Sequence, residues 1–125
     1  MKNILLILIG ASLIALSGCA TIKDPTNAGV QWKFPTDPTG PNIEYLIVEY
    51  KNDLYFRKQR QTPWSYTYED RQLTNSPDVK ETDVRVWNNG EVTYFAHEPD
   101  GGHWYSQPLS GDDKNRTRLE KAPGR

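Results

Sequence analysis

Two histidines and two carboxylates fall within seven residues, His97-Glu98-Pro99-Asp100-Gly101-Gly102-His103. Imidazole and carboxylate are ligands that zinc and related ions accept. The spacing matches no established metal signature, however, and Pro99 with two glycines reads as a polar turn carrying exposed histidines. No metal and no cofactor is expected. A second set of residues is aromatic. Trp64, Tyr66 and Tyr68 alternate with Ser65, Thr67 and Glu69, and a period of two puts the three rings on one face of a strand. Tyr and Trp carry a polar tip that suits a wet, partly buried surface, so this is a candidate binding face for a protein partner or a sugar chain. The same stripe could fill a core, and its regularity favours that role for Tyr66. The third set is Arg57-Lys58-Gln59-Arg60, whose three cations suit phosphate groups of lipid or lipopolysaccharide. In a chain of net charge −1, a solvated strand end is the expected reading.

Catalytic patterns are missing from the sequence. There is no nucleophile elbow, no Gly-rich phosphate loop and no His-Glu-x-x-His. Carboxylate pairs can cleave glycans, but the chain has 16 acidic residues and the sequence does not say which two face each other. A non-enzymatic protein is expected. The charge balance, 15 basic against 16 acidic, also lacks the basic excess of a nucleic-acid binder.

The single cysteine, Cys19, excludes an intramolecular disulfide. It closes a segment that starts Met1-Lys2-Asn3 and runs apolar from Ile4 to Leu16, with no charge between Asn3 and Lys23. A positive start, an apolar run and a small-residue end make a secretory signal peptide, and the run is short for a transmembrane helix. Leu16-Ser17-Gly18-Cys19 resembles the lipobox of bacterial lipoproteins. The resemblance implies that residues 1–18 are removed and that Cys19 carries the lipid anchor. Two or three acyl chains hold a protein firmly, whereas one is marginal. Ala20, in place of the Asp that commonly retains lipoproteins at the inner membrane, implies an outer-membrane, periplasm-facing location in a Gram-negative host. Lipoproteins of this plan block or brace outer-membrane proteins, assist assembly machines, inhibit wall-degrading enzymes or, on prophages, exclude competing phages. The expected partner is therefore another envelope protein, with peptidoglycan or another glycan as the alternative. Cleavage would leave 107 residues with 14 basic and 16 acidic side chains.

These residues need elements to position them. Residues 19–42 read as a Pro-rich tether, with Pro25, Pro35, Pro38 and Pro41 blocking helix and central strand. Extended, it would reach roughly 75 Å and as a coil about 27 Å, enough to lift a domain clear of the headgroups. Trp32 and Phe34 are out of place in a free linker and are expected to dock as an edge segment. From Ile43 the chain turns strand-like: Ile43 to Tyr50, a Lys51-Asn52-Asp53 turn, then Leu54 to Arg57. Asp83 to Trp87, Asn88-Asn89-Gly90 and Glu91 to Phe95 form the clearest hairpin. Trp104-Tyr105 begins a last strand. Residues 43–108 are thus expected to be an all-β domain, a small antiparallel sheet of about five strands curled into a barrel or folded over as a sandwich. Residues 109–125 are expected to be a flexible tail, since from Gly111 onward Leu119 is the only large apolar side chain.

Overall fold

A computed structural model describes residues 22–36 and 42–124. The expected signal segment, residues 1–18, and Cys19 lie outside them. The described chain is all-β and antiparallel. It forms β1 (Gly29–Lys33), β2 (Ile43–Tyr50), β3 (Asp53–Gln61), β4 (Tyr66–Gln72), β5 (Lys80–Val86), β6 (Glu91–Glu98), β7 (Gly101–Pro108) and β8 (Thr117–Leu119). The strands make two four-stranded meanders, β1-β2-β3-β4 and β5-β6-β7-β8. Eight strands replace the expected five or so, and the two sheets face one another in a sandwich-like arrangement.

Local chemistry sets the registers. Tyr50 pairs with Asp53 across a two-residue turn in which Lys51 and Asn52 have φ of 51° and 71°. Positive φ at both positions matches the right-handed twist of the flanking strands. Gly90, at φ 85°, closes the Asn88-Asn89-Gly90 turn by donating its N–H to the Trp87 carbonyl at 2.9 Å. The crossover from β4 to β5 is held by Asp53, whose carboxylate accepts from the Ser76 N–H at 2.7 Å.

The space between the sheets is filled from both sides. Ile47, Leu54 and Leu73 meet Val84, Val92, Tyr94, Ala96 and Tyr105. A second apolar cluster lies on the opposite, outer face of the first sheet, where Ile22 covers Leu46, Val48 and Tyr55. β3 is therefore buried on both faces over Leu54-Tyr55-Phe56-Arg57, which removes the alternation a one-sided strand would show.

The folded unit is wider than residues 43–108. Residues 22–36, expected to be tether, belong to it. Ile22 is only 5% exposed, Pro25–Asn27 forms a 3₁₀ turn, and β1 pairs with β2 as an edge strand. Trp32 and Phe34 pack against the central core, which gives the Pro-flanked segment an apolar reason to dock. The tail too is structured through residue 124. A 3₁₀ turn at Asp113–Asn115, closed by a capping box from Asp112, leads into β8 on the edge of β7.

Candidate functional site

The β3–β4 hairpin carries the exposed aromatics. Gln61 pairs with Tyr66, leaving the four-residue loop Thr62-Pro63-Trp64-Ser65. The Thr62 N–H donates to the Ser65 carbonyl at 2.7 Å, and the Ser65 N–H to Thr62 Oγ1 at 3.0 Å. The loop closes on itself and projects Trp64, which is 92% exposed. Tyr66 is 47% exposed, and Tyr68 is half-buried. The two tyrosine rings stack with centroids 6.4 Å apart.

Tyr66 is therefore not core, contrary to the expectation from its regular spacing. β4 is one edge of the first sheet, and its residues Tyr66, Tyr68 and Asp70 share the outer face, beside Arg57. The core-facing position at the end of this segment is Leu73. Trp64 precedes β4, in the loop, so the strand alternation begins at Tyr66.

Arg57 anchors the stripe. Its guanidinium makes two bonds to Asp70, Nε to Oδ1 at 2.8 Å and Nη2 to Oδ2 at 3.2 Å, with both side chains almost fully buried. Nη1 donates to the Pro25 carbonyl at 2.9 Å, and the group lies 4.5 Å from the Tyr68 ring centroid. Arg57 is thus not part of a solvated basic cluster. Of the expected trio, Lys58 is half-buried and Arg60 is exposed. On the opposite face of the same sheet, Tyr45 is 42% exposed and lies nearly parallel to Phe56, centroids 5.9 Å apart. Lys58 and Arg71 line the depression beside them. Compared with protein-family models, curated proteins and solved structures, the chain matches none.

The structure separates the two histidines of the candidate metal motif. His97 pairs with Gly102 and His103 with Ala96, so the rings fall on opposite faces of the second sheet. His97 Nε2 lies 3.1 Å from Thr82 Oγ1. His103 Nε2 lies 3.2 Å from Asp100 Oδ1 and 3.9 Å from Glu98 Oε1. Ligand atoms of Glu98, Asp100 and His103 all lie within 4.8 Å of one another. Glu98 is already engaged, accepting from the Tyr105 hydroxyl at 2.8 Å and facing Arg116 at 3.6 Å. Burial, and then this bond to Glu98, push the Tyr105 phenol above its usual range.

A polar network that the sequence did not announce lies between the sheets. The Thr74 hydroxyl accepts from the Leu54 N–H at 2.8 Å and lies 3.1 Å from Glu81 Oε1 and 3.4 Å from Asp53 Oδ1. Glu81 is 1% exposed, and its Oε2 has no partner among the described residues. Burial is the main cause that raises its pKa to about 8, with the charge of Asp53 adding to it. Burial likewise raises Asp53. Beyond them Tyr94 donates to Gln107 at 2.6 Å, and Gln107 to the Leu73 carbonyl at 3.1 Å. No periodicity distinguishes Glu81 or Gln107 from surface residues, because their burial depends on the other sheet.

Proposed function

We propose that this protein is a small, non-enzymatic interaction module of the bacterial envelope, anchored by lipid on Cys19 at the periplasm-facing side of the outer membrane, and that it engages another envelope protein. The observation that carries the reading is the concentration of exposed aromatics at one end of the first sheet. Tyr45 stands on β2, Tyr66 on β4 and Trp64 in the β3–β4 hairpin, with Tyr45 and Tyr66 on opposite faces of the sheet. Rings held open on a rigid hairpin suit recognition, because large aromatic side chains supply most of the energy at protein interfaces. A blocking, bracing, assembly or inhibitory role fits such a surface, phage exclusion included.

The stacked Tyr66 and Tyr68 with Trp64 beyond them favour a second reading, a platform for a glycan such as peptidoglycan. Affinity capture with the full lipidated chain separates the two. One stoichiometric envelope protein, lost on Tyr45→Ala, is the result expected. Retention on protease-treated cell-wall sacculi supports the glycan reading, and turnover of a wall substrate would overturn both.

A further inference from the structure

The place where the chain leaves the domain bears on what the aromatic stripe meets. Ile22 is seated on the outer face of the first sheet, against Leu46, Val48 and Tyr55. Three residues later Pro25 is held by Arg57, and Arg57 stacks on Tyr68. Ile22, Pro25, Tyr68 and Asp70 line a depression that also takes in Tyr45, Phe56 and Lys58 of the other face. The chain therefore enters the fold on the same face that displays Tyr68 and Tyr66, with Trp64 at the tip beyond them.

Cys19 is only three residues before Ile22. Three residues span at most about 11 Å. The long tether expected from composition is largely consumed by the fold, and a lipid on Cys19 has no length of chain with which to hold the domain away from the bilayer. On this account we infer that the outer-face stripe Trp64, Tyr66 and Tyr68 docks on the lipid headgroup layer, with Trp64 inserted at the interface.

The inference rests on the reading of Cys19 as the anchor. The chemistry suits the site. Trp and Tyr settle where an apolar ring meets lipid and a polar tip meets water. On this face Arg57 is paired with Asp70 and Lys33 with Glu44 at 2.8 Å, while exposed Lys23 and Asp24 beside Pro25 add one charge of each sign. Docked this way, the domain turns the opposite face of the sheet, with Tyr45 and Lys58, away from the membrane. That is the part left free for a protein partner.

The test uses the full lipidated chain in vesicles of phosphatidylethanolamine and phosphatidylglycerol, with and without brominated acyl chains. Trp64→Phe identifies the emission that belongs to Trp64. Most of that emission should be quenched by bromine, and quenching should persist when a long Gly/Ser segment is inserted between Ala20 and Thr21. Emission that bromine does not change would overturn the inference, as would quenching that disappears with the longer leash. Shielding of Trp64 only by added sacculi or a protein partner would also overturn it, in favour of those occupants. The mass of the N-terminal peptide reads the anchor separately: an unacylated Cys19 removes the premise, whereas an acylated Cys19 with unquenched Trp64 sinks the docking alone.

Discussion

Burial keeps Glu81 protonated through neutral pH, with its pKa raised to about 8 from an ordinary 4.5. The folded state thus holds a proton that the unfolded chain releases. The stabilisation is complete below about pH 4.5, falls as pH rises, and is gone above about pH 8. The span corresponds to a loss on the order of 5 kcal/mol. Burial of Asp53 acts with the same sign. Urea denaturation at pH 5 and pH 9 should show wild type markedly weaker at the higher pH. Glu81→Gln should flatten much of that slope and be more stable than wild type at pH 9; an unchanged slope in the variant would assign the dependence elsewhere. The Arg57/Asp70 pair makes the opposite case, since its two charges satisfy each other. Asp70→Ala leaves a guanidinium buried without its carboxylate and should cost about 3–5 kcal/mol. Replacing the pair together, Arg57→Met with Asp70→Leu, should recover much of that loss in the same measurement.

At the scale of elements, the sequence was most legible where a turn residue and a β-rich run coincide. Asn88-Asn89-Gly90 marks its hairpin, and Ile43 to Tyr50 and Glu91 to Phe95 read as strands. β1 and β8 were hidden for a different reason. They are edge strands of five and three residues whose order comes from pairing and docking, not from local propensity. Trp32 and Phe34 hinted at the first; only Leu119 pointed to the second. The stripe at Tyr66 and Tyr68 shows a further limit. Period two says which residues share a face, but not which face another sheet covers. The structure puts Tyr66 half in solvent, stacked on Tyr68, and Tyr94 wholly in the core. Tyr66→Ala should therefore cost about 1 kcal/mol or less, whereas Tyr94→Ala should cost about 3–5 kcal/mol. Parallel thermal melts read the contrast, and equal losses would return Tyr66 to the core.

Across the whole molecule, the four edge strands meet the hazard of edge-to-edge association differently. β1 and β5 are interrupted by register shifts, between Val30 and Trp32 and between Thr82 and Arg85, the latter with Asp83 at φ 54°. β4 carries Glu69 and Arg71 beside the buried Asp70. Such bulges and charges discourage a second chain from adding a strand. The fourth edge, β8, is only three residues long, and with the segment leading to it covers the eight-residue β7. That segment also ties the sheets together. Arg71 donates to the carbonyls of Leu109 and Gly111, and the Asn75 N–H donates to Asp113. Arg116 lies 3.9 Å over the Tyr105 ring. A chain ending at Ser110 loses Gly111, Asp113, Arg116 and β8 together, so it should be destabilised by about 2 kcal/mol or more, roughly a 10 °C fall in melting temperature at this size. It should also self-associate through the uncovered edge of β7, which light scattering reads directly. A freely mobile tail would give neither effect, and an unchanged melt with a monodisperse monomer would restore that picture of residues 109–125.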